Sequence, residues 1–403
     1  QSWVKGKVGM IGISFSGITQ LFTAGTRPPH LAAITPMSVT DDIYTGTGYP
    51  GGINNIGFAR SWIQERMSDA KPAPAGGQPY AKALIAQGDK QCKANQALRL
   101  QTQNALKLEQ QNPFRTPAIF DQRAPSAWMG KINVPTFLVG SFQDEQTGGH
   151  FTEALSKLNS NPNVWITLQN GVHVDSLTPD AITRWVDFLK IYVAGEVPQV
   201  PPMLLSLSSV LYQKVADVAA NPVVQSRFAT MTSVDAAKAA FQQDPRVRVL
   251  MDNGGGPQGP GSIGSPWELD YSSWPVKEAA PTSYYLGDGG ALTADQPAAG
   301  TASYVADPKA RPEQTLPGSG QEDAWKGQPP YNWTPIAAGK GLGWTSAVLD
   351  KDVVIAGPSS FDVYLKSTAA DTDLQVTLSE VRPDGRETYI QNGWLRASHR
   401  KLA

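Results

Sequence analysis

Three side chains of the sequence could together cleave an ester or an amide: the hydroxyl of Ser14, the imidazole of His173 and the carboxylate of Asp144. A serine hydroxyl is a weak nucleophile until a base takes its proton, and histidine suits that transfer near neutral pH. A carboxylate would orient the imidazole and stabilise its cation. The hydroxyl would then attack a carbonyl carbon and form an acyl-enzyme, a reaction that needs neither a metal nor a cofactor.

Ser14 lies in the hexapeptide GISFSG at residues 12–17, where a buried apolar run passes into a helical pattern. A sharp turn at this point pushes the serine side chain out of the sheet. It requires small residues two positions before and after the serine, here Gly12 and Ser16. The glycine usually found at the fifth position comes one residue later. We therefore predict a nucleophile elbow, in which the backbone N–H of Phe15 donates to the oxyanion of the intermediate.

The base could be any of four histidines, and its place in the predicted sheet favours His173. This residue follows the tripeptide at 170–172, directly after a predicted strand, where catalytic residues of parallel α/β sheets lie. His30 precedes a strand in a Pro-rich turn, His150 begins a helix-like stretch, and His399 lies among basic residues near the C-terminal end.

The acid is predicted from the order of the chain. Asp144 follows a predicted strand, so the order Ser14, Asp144, His173 is the one expected for an α/β-hydrolase. Four other carboxylates stay open as alternatives because they lie close in sequence or follow another strand: Glu145, Asp175, Asp41 and Asp42.

Apolar runs alternate with helical patterns over the first 200 residues, which predicts an α/β layer with a parallel sheet. Four short runs predict buried strands, at residues 7–13, 31–34, 134–140 and 164–168. The clearest helix pattern covers residues 178–195, where Thr178 is a suitable N-cap and Pro179 fits the first helical position.

The pattern divides the chain into three domains. Residues 1–48 and 123–200 form the predicted catalytic α/β domain, and 49–122 form a helical cap inserted between two strands. A Pro-rich linker leads to an all-β domain at 203–403, a sandwich or jelly roll. Within that domain, alternating segments at 361–365 and 374–378 predict strands, and Pro-Asp-Gly at 383–385 predicts a turn.

Composition argues against several other classes of protein. Lys and Arg number 34 against 35 Asp and Glu, so the chain has no basic field for nucleic acid. Its single cysteine excludes an internal disulfide framework and a Cys-based zinc site, and with four histidines we predict no metal centre. The longest apolar runs, such as 134–140, are far shorter than the roughly 18–20 residues of a membrane span. Oligomeric state and compartment stay open.

The segment GISFSGITQ at residues 12–20 resembles the nucleophile region of the X-Pro dipeptidyl-peptidase and cocaine-esterase-like serine hydrolases, whose elbow runs Gly-x-Ser-aromatic-x-Gly. The acid region at 140–144 and the histidine region at 170–173 are similar to that family in order and spacing. The resemblance implies an α/β-hydrolase domain, a helical cap inserted between its strands and a C-terminal jelly roll.

By this resemblance, Ser14, Asp144 and His173 are the catalytic triad and Phe15 supplies one oxyanion donor. The second donor in the family is a tyrosine hydroxyl upstream of the elbow. We therefore expect the sequence to be an internal part of a longer protein. Its hydrolase sheet would lack the early strands, its oxyanion hole one donor, and its jelly roll the last strands.

Members of the family cleave X-Pro peptides, α-amino acid esters, β-lactam side-chain amides or aromatic esters. The expected substrate is thus a small ester, amide or short peptide, with an ester favoured. The acyl pocket would lie between cap and sheet, with five aromatic candidates for its walls: Phe15, Tyr44, Tyr49, Trp62 and Phe142. The alternative is a non-catalytic protein that binds carbohydrate or another ligand with its jelly roll and keeps the hydrolase fold as a scaffold.

Overall fold

A six-stranded β-sheet holds the candidate residues. The computed structural model describes residues 6–101, 103–216, 223–251, 265, 267–307, 309 and 335–400, and the strands of this sheet lie side by side in chain order. They are β1 (Val8–Ile13), β2 (Leu31–Met37), β3 (Thr136–Ser141), β4 (Val164–Gln169), β5 (Val247–Met251) and β6 (Trp267–Tyr271). Strands β1 to β5 run parallel, and β6 pairs with β5 antiparallel.

Both faces of the sheet are buried at its centre. Phe137 and Trp165 pack in the hydrophobic cluster on one face, whereas Leu138 and Ile166 pack in the cluster on the other. Because successive side chains of a strand point to opposite faces, double burial requires an unbroken apolar run. The four predicted strands are confirmed as β1 to β4, but β1 is not buried, because it lies at the edge of the described sheet with Val8 and Ile11 exposed.

Ten α-helices are present in the described ranges. They are α1 (Phe15–Gly25), α2 (Phe58–Asp69), α3 (Pro79–Ala86), α4 (Lys90–Asn95), α5 (Ala105–Gln111), α6 (Pro117–Phe120), α7 (Ser126–Met129), α8 (Pro179–Leu189), α9 (Pro202–Ala216) and α10 (Val234–Phe241). Segments of 3₁₀ or π helix fill several connections, at Ile43–Gly48, Pro50–Gly52, Gln96–Gln101, Asp121–Arg123, Gly149–Leu158, His173–Leu177, Lys190–Ala194, Asp288–Gly290 and Ala397–His399. Within the same ranges, none of the helices has the length and apolarity that crossing a bilayer demands.

The helix predicted after β4 is confirmed as α8. Pro179 occupies its first turn, where the missing N–H of proline costs nothing. Ala181 and Phe188 are buried against the sheet. A π turn extends the helix to Ala194, and Gly195 ends it with a left-handed φ of 68°.

The segment between β2 and β3 is helical, with α2 to α7 along it. Few residues of these helices are buried, in contrast to α1 and α8, which pack on the sheet. The helical character agrees with the predicted cap, and the limits of the cap at 49–122 stay a prediction.

The catalytic sheet extends further along the chain than the sequence indicates. Residues 203–403 are expected to form a separate all-β domain, yet β5 and β6 complete the parallel sheet beside β4. The helix α10 precedes β5, and its Phe241 packs against Trp165 at 5.0 Å between ring centroids. The expected boundary at residue 203 does not match this arrangement. The reason is that β5 is apolar and short enough to fit either a sandwich or a buried sheet.

The C-terminal part is β-rich in two separate pieces. One is a three-stranded sheet of β7 (Tyr285–Leu286), β8 (Ala291–Thr293) and β9 (Thr345–Ser346), and the other is a hairpin of β10 (Asp373–Val381) and β11 (Glu387–Arg396). The strand predicted at 374–378 lies in β10, and the predicted turn at 383–385 joins the hairpin. The strand predicted at 361–365 is wrong for the described part of the chain, where this segment pairs with no neighbour and its residues are exposed.

Candidate active site

Ser14 joins β1 to α1 in a backbone conformation that few residues adopt. Its φ of 62° and ψ of −128° are sterically strained for a residue with a Cβ, at a cost of about 1–3 kcal/mol. The Ser14 N–H donates to the carbonyl of Met37 in β2 at 2.8 Å, and the Ser14 carbonyl accepts from the N–H groups of Gly17 and Ile18. The adjacent strand and the first turn of α1 thus hold the strained residue. The predicted strand–turn–helix context is confirmed.

Two glycines make room for this turn. A Cβ on Gly12 would lie 2.6 Å from the Cβ of Ser16, and a Cβ on Gly17 would lie 2.6 Å from the carbonyl oxygen of Met37. Real Cβ atoms do not approach other atoms so closely. The second glycine of the elbow therefore stands at position 17, where β2 passes the helix, and not at 16.

Phe15 begins α1, so its N–H belongs to the first turn of the helix. The first N–H groups of a helix have no carbonyl partner within the helix and point out of its N-terminal end. The N–H that follows the serine is thus well suited to bind an oxyanion.

His173 and Asp144 form a buried pair. The Nδ1–H of His173 donates to Asp144 Oδ2 at 2.8 Å and lies 3.0 Å from Oδ1. The side chains are 2% and 1% exposed, respectively. Asp144 follows β3 and His173 follows β4, so the pairing joins two loops at the carboxyl ends of adjacent parallel strands.

Opposing effects set the protonation of this pair. Burial acts to raise the pKa of Asp144, but the charge and hydrogen bond of His173, together with hydrogen bonds from Thr147, hold that pKa below its ordinary value. Burial acts to lower the pKa of His173, and the negative charges of Asp144 and Glu145 outweigh it, so the His173 pKa is raised. The pair therefore favours an ionised carboxylate facing an imidazole whose basicity is raised.

Neighbours in the same loop fix the Asp144 carboxylate. Oδ1 accepts the backbone N–H groups of Gln146 at 2.9 Å and of Thr147 at 2.8 Å, and Oδ2 accepts the Thr147 hydroxyl at 2.7 Å. Four donors, counting His173, surround the carboxylate. Such an array favours the charged form and leaves the group little freedom to rotate.

Ser38 connects the nucleophile region to the histidine loop. It follows Met37, which receives the Ser14 N–H, and its own hydroxyl donates to the His173 carbonyl at 2.6 Å. Ser38 has a left-handed φ of 46°. Residues 37–38 thus contact the elbow on one side and the histidine on the other. Among the described residues, no hydrogen bond joins the Ser14 hydroxyl to the His173 ring.

Two sequence models of one enzyme family match the chain on either side of its middle. The model described as X-Pro dipeptidyl-peptidase (S15 family) matches residues 1–175, which contain all three candidate residues. The model of the X-Pro dipeptidyl-peptidase C-terminal non-catalytic domain matches residues 239–403. The chain belongs to this family of X-Pro dipeptidyl-peptidase and cocaine-esterase-like serine hydrolases.

Individual relatives agree with this assignment. Cocaine esterase from a Rhodococcus strain is 22% identical over 437 aligned positions, which cover 100% of the chain and 67% of the esterase. A solved α-amino acid ester hydrolase, 16% identical, covers 98% of the chain and 63% of that protein with a TM-score of 0.57. A CocE/NonD family hydrolase from Staphylococcus aureus, also 16% identical, covers 100% of the chain and 56% of that protein with a TM-score of 0.55. The two structures show that the fold is that of an α/β-hydrolase, of which the chain spans less than two thirds.

None of the four alternative carboxylates takes the place of Asp144 at the Nδ1 atom of His173 in the described part of the chain. Asp42 accepts the N–H of Tyr44 at 2.7 Å and pairs with Arg115 at 2.7 Å, and Asp41 pairs with His150 at 3.0 Å. Two further carboxylates, Glu145 and Asp175, accept backbone N–H groups of the histidine loop and do not contact the ring nitrogens. Among the described residues, no set of three acidic, histidine or cysteine side chains is arranged to hold a metal ion.

None of the other three histidines is itself buried beside a carboxylate. His30 lies exposed in a turn with a φ of 69°. His150 pairs with Asp41, but its side chain is 48% exposed. His399 stacks on Phe114 with 4.3 Å between ring centroids.

The five aromatic candidates for the acyl pocket fall into separate groups. The Phe15 ring, 61% exposed, lies 6.0 Å from that of Trp62 on α2, so these two stand beside the elbow. Tyr44 stacks on Tyr49 at 4.8 Å, and its hydroxyl donates to a carbonyl of the helical insertion. Phe142 packs 6.2 Å from Trp274 at the edge of the hydrophobic core, and its place in the acyl pocket stays a prediction.

Sequence reasoning missed Gln143, whose side chain links its own loop after β3 to the histidine loop and to the C-terminal hairpin. Its Oε1 accepts the Gly171 N–H at 2.7 Å, and its Nε2 donates to Asn170 at 3.3 Å and to the carbonyl of Ile390 in β11 at 3.0 Å. These partners come from the histidine loop and from the C-terminal hairpin, so no local pattern reveals them.

Proposed function

We propose that the protein hydrolyses a carboxylic ester or amide through an acyl-enzyme on Ser14. The observation that carries the proposal is the buried His173–Asp144 pair, 2.8 Å apart, at the carboxyl ends of β3 and β4 in the same parallel sheet whose strand β1 leads into the strained Ser14 turn. A strained serine, a basic imidazole and a fixed carboxylate are the three parts that such a mechanism needs.

In the first half of the reaction, His173 Nε2 takes the proton of the Ser14 hydroxyl while Oγ attacks the carbonyl carbon. The Phe15 N–H donates to the resulting oxyanion. The imidazolium then gives its proton to the leaving alcohol or amine, and the bond between acyl carbon and leaving group breaks. Asp144 stays ionised throughout and stabilises the imidazolium through Nδ1.

In the second half, a water molecule takes the place of the leaving group. His173 removes one of its protons as the water oxygen attacks the acyl carbon, and the proton then returns to Ser14 Oγ when the acyl bond breaks. The product is a carboxylic acid, and the serine is restored.

We propose an ester or amide with an apolar or aromatic acyl group, and favour an ester. Phe15 and Trp62 offer an aromatic surface next to the elbow, since their rings lie 6.0 Å apart. Aromatic surfaces favour flat or apolar groups. Two relatives of the chain carry the names cocaine esterase and α-amino acid ester hydrolase, and both names describe enzymes that cleave esters.

Labelling with a fluorophosphonate probe tests the proposal, because only an activated serine reacts. We expect the intact protein to be labelled at Ser14, identified by peptide mass spectrometry. His173→Asn should abolish labelling, whereas the matched variant His30→Asn should not, because asparagine tolerates the positive φ of that exposed position. Absent labelling, or labelling that survives His173→Asn, would favour the non-catalytic alternative.

A further inference from the structure

Two adjacent acidic residues contact the same histidine at different points. Asp144 accepts the ring Nδ1–H of His173, and Glu145 Oε2 accepts the backbone N–H of His173 at 2.9 Å. The next N–H back along the chain, that of Val172, donates to Asp175 Oδ2 at 2.7 Å. Three carboxylates therefore converge on the dipeptide Val172-His173, and the triad uses one of them.

Glu145 is placed to act on the histidine in two ways. Its Oε1 accepts from the Gln146 side chain at 3.1 Å, so both carboxylate oxygens have a donor and the side chain is held in place. The hydrogen bond to the His173 backbone limits movement of the loop that carries the ring. The negative charge also lies in a half-buried setting, where charges interact more strongly than in water.

Two carboxylate charges act on the His173 ring, those of Asp144 and Glu145. Burial acts to lower the pKa of His173, whereas the charges of Asp144 and Glu145 raise it. Burial and the charge of Asp144 raise the pKa of Glu145, while the hydrogen bond from His173 lowers it. Burial raises the pKa of Asp175 to about 7, so this carboxyl takes up a proton near neutral pH. Glu145 is thus the second charge that acts directly on the imidazole.

We propose that Glu145 is a positioning residue of the hydrolase, which fixes the His173 backbone and stabilises the imidazolium with a second negative charge behind the triad. The catalytic part of this proposal rests on the proposed function. In each half of the reaction His173 becomes a cation, and Glu145 would lower the energy of both imidazolium states.

The direct test is the titration of His173 by NMR with selective ¹³C labelling of the four histidines. In Glu145→Gln the amide oxygen can still accept the His173 N–H, but the charge is lost. We expect the His173 pKa to fall by about one unit. The matched control is Glu153→Gln, an exposed glutamate that faces His150, and it should leave His173 unchanged. Equal titration of His173 in the wild type and Glu145→Gln would overturn the proposal.

A shorter acid keeps the test decisive if Glu145→Gln does not fold. Glu145→Asp keeps the charge in nearly the same place, so the raised pKa of His173 should persist. A fall in that variant would show that the charge of Glu145 is not the cause, and would overturn the proposal.

Kinetics then separate this proposal from the proposed function. With an aryl ester as the probe substrate, kcat/KM of the intact protein should rise with pH as His173 loses its proton. That rise should occur about one pH unit lower in Glu145→Gln, and the plateau should fall by up to about tenfold because the imidazolium loses the second charge. A structural defect alone would lower the plateau without moving the pH of the rise, and that result overturns the positioning role. If no ester is cleaved while the NMR shift is present, the proposed function fails and the charge effect stands.

Discussion

At the scale of single residues, the Ser14 hydroxyl is presented by a conformation that its neighbours impose. Its positive φ is maintained because Met37 accepts its N–H and the first turn of α1 uses its carbonyl. Gly12 and Gly17 supply the space. The Asp144 carboxylate is likewise held by its neighbours, since its hydrogen bonds come from its own loop and from His173.

A methyl group at residue 17 should disturb the elbow. In Gly17→Ala, the new Cβ would press on the Met37 backbone, so we expect the free energy of unfolding to fall by about 1–3 kcal/mol. The rate of fluorophosphonate labelling at Ser14 should fall with it. Gly343→Ala is the control, because a Cβ there meets nothing within 4 Å. Equal unfolding energies for the two variants, from urea denaturation, would contradict the steric explanation.

The choice of acid is open to a direct comparison. Asp144→Asn should lower kcat by about 10⁴-fold, because an amide cannot stabilise the imidazolium and favours the wrong tautomer. Asp42→Asn removes the competing acid, which pairs with Arg115, and should lower stability while kcat stays within about tenfold. Steady-state kinetics on an aryl ester measure both. A larger loss in Asp42→Asn would identify Asp42 as the catalytic acid.

At the scale of elements, the site depends on loops at the carboxyl ends of β1, β3 and β4. The sequence was sufficient for these strands, for α8 and for the strand–turn–helix around Ser14, because each depends on a local pattern of apolar residues, glycine and proline. It was insufficient for β5, because a short apolar run fits either a β-sandwich or a buried parallel sheet. It was also insufficient for the segment at 361–365, whose alternating pattern pairs with no strand in the described part of the chain. The roles of Gln143 and Ser38 depend on residues more than 100 positions away.

The histidine loop should make stability depend on pH through Asp175. An unfolded aspartate loses its proton near pH 3.8, whereas burial raises the pKa of Asp175 to about 7 in the folded protein. Between these values the folded state binds the extra proton, so the stability contributed by this group is present below the unfolded pKa and declines as pH rises through about 7. In Asp175→Asn this decline is absent.

Urea denaturation at pH 5 and pH 8 measures the effect. Relative to the wild type, Asp175→Asn should gain on the order of 3 kcal/mol between the two pH values, since one pKa unit corresponds to about 1.4 kcal/mol. The amide can still accept the Val172 N–H, so the hydrogen bond is preserved. The same pH dependence in both proteins would show that Asp175 is ionised in the folded state.

At the scale of the whole molecule, the C-terminal hairpin contacts the catalytic loops directly. The Gln391 side chain donates to the Phe142 carbonyl at 2.6 Å, and Gln143 donates to the Ile390 carbonyl. Strand β11 also lies against the turn at Pro50–Gly52, where a Cβ on Gly51 would collide with the carbonyl of Trp394. The match of the family's C-terminal domain to residues 239–403 thus includes residues that contact the neighbours of Asp144.

A pair of glycine variants separates this contact from backbone strain. Gly51 and Gly289 have similar left-handed φ values, of 59° and 67°, but a Cβ on Gly289 meets nothing within 4 Å. Both alanine variants incur the strain, about 1 kcal/mol. Gly51→Ala must also displace β11, so we expect a total loss of about 2–4 kcal/mol and slower labelling of Ser14. Identical melting and labelling of the two variants would show that the hairpin does not support the catalytic loops.

The contact between Gln391 and Phe142 spans 249 positions of the chain. Ribosomes deliver the N-terminal residues first, so the loop with Asp144 emerges long before the strand that closes against it. A contact of such high sequence separation forms late, since the intervening chain must be ordered before its ends meet. If the proposed function holds, the newly made polypeptide would therefore carry Ser14 in an incomplete centre until synthesis has passed residue 391.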